Sequence, residues 1–207
     1  MKVHVEWTVF SVIGVLALMV TGPAVAQGTG VNLVINGGFE SGNTGFTTGY
    51  AFGNVSGPGT YTIGTNPSSA PGAYPDWCNC GDHTTGTGNM MIVNGANSAS
   101  WPVWEEVVTV TPSTNYTFSY WAAEVDHVSQ SVPVLLVGIN GAVIGSNSLP
   151  NVSPDNGGQW VNYIFTWNSG SSQSADLAIF DMNTDTPWND FALDDISFSA
   201  APGPPVN

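Results

Sequence analysis

The 207-residue chain has one Lys or Arg in total, Lys2, against 15 Asp and Glu. Without basic side chains phosphates cannot be held by counterion release, so nucleic acid is excluded as a partner. Attraction to anionic membrane surfaces fails for the same reason. Beyond residue 2, a Walker-type phosphate loop, a Schiff-base lysine and an arginine clamp are all ruled out. Carboxylates that fold close together find no Lys or Arg to relieve them. They must be solvated, protonated, hydrogen-bonded or held by a metal cation. The remaining acidic surface is a solvated, aggregation-resistant exterior.

Long hydrophobic runs are also scarce. Residues 8–20 form the one long apolar stretch, with Lys2 before it and Ala24-Val25-Ala26 as a small-residue cleavage site after it. This reads as a signal peptide, residues 1–26, cut before Gln27. An uncleaved membrane anchor is the alternative. No second stretch is long enough to span a bilayer. The expectation is a protein secreted or held at the cell surface, with no membrane insertion after cleavage.

Cysteine is nearly absent. Cys78 and Cys80 stand one residue apart. Three readings are open: a local disulfide in an oxidising compartment, two free thiols, or metal and redox chemistry.

What the chain does hold is apolar and aromatic. AVILMFWYC make up 42% of it, with 8 Trp, 25 Gly and 14 Pro, which is no disordered composition. Apolar residues recur at period two in 115–124 (Tyr116, Phe118, Tyr120) and in 161–167 (Val161, Tyr163, Phe165, Trp167). Further short strands are predicted at 31–36, 60–65, 89–94, 101–110, 132–139, 142–146, 175–181 and 191–199. Asn140-Gly141 is the strongest hairpin signal. No helical period follows the leader. The fold class is therefore all-β: an antiparallel β-sandwich or jelly roll of about nine or ten strands. One domain spans 27–199, and a flexible Pro/Gly-rich tail covers 200–207. The long segment 65–88 shows no strand pattern, and its density of aromatic and polar groups favours a structured loop.

Two motifs mark the ends of this domain. The first predicted strand closes on Asn36-Gly37-Gly38-Phe39-Glu40, and the last reads Phe191-Ala192-Leu193-Asp194-Asp195-Ile196-Ser197-Phe198. Together they resemble the two ends of galactose-binding-like jelly rolls, among them the xylan- and cellulose-binding carbohydrate-binding modules. Residues 83–91 and 111–121 are similar to internal strand starts of those modules. The whole of 31–199 also resembles exported bacterial domains of unassigned function carrying Gly81-Asp82-His83-Thr84, Trp167-Asn168-Ser169-Gly170 and Asn189-Asp190-Phe191-Ala192-Leu193-Asp194-Asp195-Ile196.

The resemblance implies a structural calcium (Ca2+) joining the N- and C-terminal strands. Glu40 and Asp194 would be side-chain ligands, with carbonyls from Gly38, Thr85 and Thr87, and Asp195 next in line if the register differs by one. A hard cation taking six to eight oxygens suits such a mixture. The alternative is that these acids are merely solvated. Asp76, Asp82, Asp185 and Asp190 are weaker candidates for a second site. His83 beside Asp82 is a metal or catalytic pairing in form, but a lone loop histidine is more often structural.

The resemblance also implies a ligand: a neutral polysaccharide or glycan, which aromatic faces and planar polar groups recognise without basic residues. The strand candidates are Trp121 and Ser119, on the face opposite Tyr120, with Glu105 expected on the neighbouring strand. The loop candidates are Trp77, Trp188 and Tyr74, followed by Tyr50, Tyr61 and Trp101. Core packing is the competing role for each, and the favoured one for Trp104, Trp160 and Trp167. No enzyme is expected. Glu105, Glu106, Glu124, Asp126 and Asp181 supply acids, but no spacing marks a catalytic pair, and His127 lacks a nucleophile motif. A non-catalytic binding module is the first expectation. A surface-structural or adhesion domain comes second and an acid-pair glycan hydrolase or lyase third.

Overall fold

A computed structural model describes residues 30–126, 131–151, 158–186 and 188–201. The leader, His127 and the tail beyond Ala201 lie outside the described residues. Ten strands form: β1 (Ala51–Phe52), β2 (Thr60–Gly64), β3 (Met90–Asn94), β4 (Pro102–Thr109), β5 (Asn115–Glu124), β6 (Val134–Ile139), β7 (Ala142–Ser148), β8 (Val161–Asn168), β9 (Ser174–Asp181) and β10 (Phe191–Ala200). They make two sheets, ordered β1-β2-β3-β10-β5-β8 and β4-β9-β6-β7. Every pairing is antiparallel except β1 with β2. No helix of the described residues is long and apolar enough to cross a membrane.

The inward-facing alternation builds the core. Tyr116, Phe118 and Tyr120 of β5 meet Trp104, Leu135, Leu177 and Ile179 from the other sheet. Phe198 of β10 stacks on Tyr116 with ring centroids 4.8 Å apart. On β10 the apolar pairs Phe191/Leu193 and Ile196/Phe198 are out of step by one residue, yet all four are buried in this core. A β-bulge reconciles them. Asp194 pairs with Trp121 and Ser197 with Ser119, so Asp195 and Ile196 together oppose the single residue Tyr120. Asp195 takes the extra step in the left-handed region, φ 47°, where Asp is among the more tolerant residues.

The 65–88 loop is structured, as its composition predicts. Trp77, Cys78 and Val55 pack with Met90, Ile92, Val125 and Ala192 into a second apolar cluster on the outer face of the larger sheet. Met91 and Val93 face the main core. The run of five buried residues in β3 therefore has a cause: both faces of that strand are covered. Cys78 and Cys80 are joined as a disulfide, Cα atoms 5.3 Å apart. The Cys78 N–H donates to Val125 O (2.7 Å), anchoring the loop to the end of β5.

Two strand expectations are corrected. Residues 31–36 form no strand. They run beside β10, with Leu33 N–H donating to Phe198 O (2.8 Å). Asn32 breaks the ladder, because its side chain bonds both Ile196 O and Phe198 N–H, and Asn36 then turns away at φ 58°. The two-residue β1 was not anticipated, being too short to show a period.

Buried carboxylates sit at the end of the sandwich where β5 and β9 finish. Asp190 accepts the Trp77 indole N–H (3.0 Å) and the Gly95 N–H (3.2 Å). Asp181 accepts from the Asn189 amide (2.9 Å). Burial pushes both pKa values up to about 7, aided at Asp181 by the charge of Asp190 and at Asp190 by Asp126 and Glu124.

Two predictions follow from this packing. Trp77→Ala empties a filled cluster and strips Asp190 of a donor, so it is expected to cost about 3–5 kcal/mol of unfolding free energy, measurable by denaturant titration. A loss under about 1 kcal/mol would contradict the placement of that ring. The second concerns pH. Because the folded state holds protons that an unfolded carboxyl with its usual pKa of 3.8 would release, this stabilisation is complete below about pH 4 and is lost as pH rises through about 7. Melting temperature in chelator is expected to fall between pH 5 and 8, and Asp190→Asn to flatten that slope. A melting temperature rising over the same range would refute it.

Candidate cation-binding site

Three segments distant in sequence meet at the β10 bulge. The first is the 36–40 turn. Gly37 O accepts Ile196 N–H (2.9 Å), and a Cβ on Gly37 would stand 2.0 Å from Ile196 O. Only glycine lets the turn dock this closely. Phe39 is fully buried and accordingly holds Gly38 and Glu40 at the rim.

The second segment is the loop 81–89. Asp82 organises it: its carboxylate accepts N–H bonds from Thr84 (3.1 Å), Thr85 (2.8 Å) and Gly88 (2.7 Å), and the Thr85 hydroxyl bond (3.0 Å). Burial raises the Asp82 pKa, but these bonds outweigh it and the net value lies below the usual range. Glu40 reaches across to accept Asn89 N–H (3.0 Å). In a chain without Lys or Arg here, backbone N–H groups carry out the neutralisation that side chains perform elsewhere.

The third segment is the bulge itself. Asp194 is 1% exposed. It accepts N–H bonds from His83 (3.0 Å) and Asp195 (2.8 Å). Burial, followed by the charges of Asp195 and Asp82, raises its pKa to about 7 despite those bonds. Asp195 Oδ2 lies 2.6 Å from His83 Nδ1 in a hydrogen bond and also accepts from the Thr84 hydroxyl. The His83 ring stacks on Trp121 with centroids 3.6 Å apart and planes 17° from parallel, and meets Trp160 edge-on at 6.1 Å.

Gly38, Glu40, Thr84, Thr85, Thr87, Gly88 and Asp195 line a depression of about 310 Å3. All but one of the residues singled out as metal ligands from the two end motifs border it, and Asp194 lies buried beside it: the Cβ position of Gly38 is 3.8 Å from Asp194 Oδ1 and 3.4 Å from Asp195 Oδ1. Glu40 and Asp195 bring carboxylate side chains to its lining and Thr84, Thr85 and Thr87 bring hydroxyl side chains, oxygen donors of the kind a hard cation takes. The sequence reading left His83 out of this set. Its partner is Asp195, 112 residues away, and not the adjacent Asp82, so no local spacing could reveal the contact.

The candidate ligand-binding residues do not form one surface. Trp121 is half-buried on the outer face of β5, as expected, but His83 covers one of its ring faces. Ser119 is 3% exposed, a short side chain sunk between Ile164 on β8 and Ser197 on β10. Glu105 is not beside Trp121: the chain changes sheets between β4 and β5, and Glu105 pairs with Ala178 of β9. Trp77 is 2% exposed and belongs to the second cluster. Tyr50 and Tyr61 are buried as well. Tyr74 remains exposed, with its hydroxyl donated to Ser56 O (2.9 Å), and Trp188 is half-buried. Trp101 is exposed over Gly59, and Phe52, not anticipated, is exposed on β1. Trp104 is in the core, and Trp160 and Trp167 pack against the two clusters. The acids Glu124, Asp126 and Asp181 are buried. Of the weaker metal candidates, Asp82 belongs to this site and Asp190 to the Trp77 contact.

No family model and no curated protein matches the chain. Solved structures do. The CBM22-1 xylan-binding domain of Paenibacillus barcinonensis Xyn10C superposes with a TM-score of 0.52 at 14% identity, over 86% of this chain and 100% of that one. The CBM22-1–CBM22-2 tandem of the same protein gives 0.51 at 16% identity over 89% of this chain, which spans 50% of the tandem. A cyclase from Fischerella sp. TAU gives 0.57 at 11% identity, over 86% of this chain and 100% of that one. At these identities the likeness is one of fold. The chain has a jelly-roll-type β-sandwich fold, one that a xylan-binding domain and a cyclase both share.

Proposed function

We propose that this chain is an exported, non-catalytic binding module for neutral glycan, with a calcium ion bound between the 36–40 turn, the 81–89 loop and the β10 bulge. The observation that carries the reading is the depression itself. On a sandwich fold shared with a xylan-binding domain, residues from both ends of the chain place Glu40 and Asp195 around one hollow, with Asp194 alongside. A cation there would relieve three carboxylates that have no Lys or Arg among the described residues. Glu40, Asp194 and Asp195 would hold it, with Gly38, Thr85 and Thr87 supplying further oxygens. Its role is cohesion of the two chain ends, not chemistry. Neutral ligands suit a surface with no basic groups, and Trp121, Trp160, Trp101 and Tyr74 retain ring surface for them.

A second reading, a surface-structural or adhesion domain, is favoured by one observation. The best-placed strand ring, Trp121, is stacked on His83, and Ser119 beside it is buried. An acid catalyst is a poorer fit, because Asp181 and Asp190 are each 1% exposed.

For calcium, an ion at about a hundredfold its Kd stabilises by about 2.7 kcal/mol. For a domain of this size that is a melting-temperature rise of roughly 5–10 °C over EDTA-treated protein. Glu40→Ala is expected to remove most of this difference, and an identical melting curve with and without calcium would remove the ion from the account. For the ligand, affinity electrophoresis of the calcium-loaded protein through neutral polysaccharides is expected to show retardation by at least one, weakened by Trp121→Ala. Uniform mobility across xylans, glucans, mannans and galactans would favour the structural reading.

A further inference from the structure

A calcium ion in the depression would use oxygen donors and leave the one nitrogen donor beside it, His83, idle. A ring nitrogen of His83 and one carboxylate oxygen each of Asp194 and Asp195 lie within 4.8 Å of one another, and no other such group of three or more His, Cys, Asp or Glu occurs among the described residues. This trio adjoins the depression, and both of its aspartates are also assigned to the calcium ion, so their carboxylates would bridge the two ions. Calcium prefers oxygen ligands alone. An imidazole beside two carboxylates is instead the donor set of zinc and other first-row divalent ions.

The imidazole is held in place before any ion arrives. Its ring stacks on Trp121 at 3.6 Å, and its backbone N–H is fixed to Asp194 Oδ2 at 3.0 Å. Asp194 is buried, and its outer neighbours, the side chains of His83 and Asp195, are 26% and 35% exposed, so the group opens to solvent on one side. We propose that His83, Asp194 and Asp195 form a transition-metal site, three protein ligands with one position open, next to the oxygen cradle. The proposal rests on the calcium reading only in placing a second ion beside it. A tetrahedral zinc ion spaces its ligand atoms about 3.3 Å apart. The 2.6 Å contact between His83 Nδ1 and Asp195 Oδ2 therefore opens by less than about 1 Å as the ion replaces the shared hydrogen. The ring then carries its remaining hydrogen on Nε2.

The test titrates zinc chloride into the calcium-saturated full chain by calorimetry, with cobalt(II) absorption as a spectroscopic check. One zinc site is expected, with visible cobalt bands of the intensity a low-coordinate nitrogen and oxygen site gives. His83→Phe keeps an aromatic ring on Trp121 and removes both nitrogens. It is expected to weaken zinc at least about tenfold and to leave the calcium-dependent rise in melting temperature intact. Glu40→Ala is expected to do the reverse. Zinc that fails to bind, or binds wild type and His83→Phe alike, overturns the proposal while calcium sensitivity persists. Loss of calcium sensitivity in wild type, with zinc still dependent on His83, would instead sink the calcium reading alone.

Discussion

One extra residue in the last strand determines the rest of this molecule. The β10 bulge lets Phe191 and Leu193 share the core with Ile196 and Phe198, although the two pairs are out of step. An uninterrupted strand would turn one pair to the outer face, because a shift of one residue exchanges the faces. The bulge begins at Asp195, directly after Asp194, so the same irregularity that completes the core also sets two adjacent carboxylates at one point. It ends the pairing with β3 at Leu193, and the vacated edge is taken by residues 30–37, through Leu33 and Gly37. The N-terminal turn reaches the carboxylates because the bulge has opened a place for it.

The second constraint is the lack of basic side chains. Buried carboxylates here are met in three ways. Asp82 and Glu106 take backbone N–H groups, the latter from Ile35. Asp190 takes an indole N–H and Asp181 an amide. Where such donors are too few, burial and neighbouring charge drive the group towards its protonated form, as at Asp181, Asp190 and Asp194. Each solution orders a loop around an acid. Long connections that would otherwise be slack are thereby built into the fold, and the 81–88 loop around Asp82 is the clearest case.

The fold was legible in the sequence to the extent that period-two alternation is a physical record of burial. β5 and β8 were visible in this way, and the β6–β7 hairpin through its Asn140-Gly141 turn. Residues 31–36 misled because an apolar run says nothing about where an Asn side chain will intercept the ladder. Glu105 was placed beside Trp121 because neighbours in sequence were taken as neighbours in one sheet, whereas a jelly roll passes the chain from sheet to sheet. Trp77 and Ser119 depended on which outer surface the 65–88 loop covers, and periodicity does not address that. That the two end motifs meet, with Gly38 and Glu40 beside Asp195, was legible in the sequence. His83 was not, since its contacts with Asp195 and Trp121 exist only once the sandwich has closed.

The covered sheet face bears directly on what this surface can bind. The second apolar cluster occupies the side of the larger sheet around β3, and the middle of that face on β5 carries short, sunken side chains such as Thr117 and Ser119. Aromatic surface survives at the border, where Trp121, His83 and Trp160 adjoin the cation site. An extended glycan crossing this face would therefore find ring contacts beside His83 and little along the centre of the sheet. The loop that carries His83 and Asp82 also carries Trp77 and the disulfide. Order at the cation site and order of the aromatic border therefore rest on a single segment, and whatever stabilises one preorganises the other.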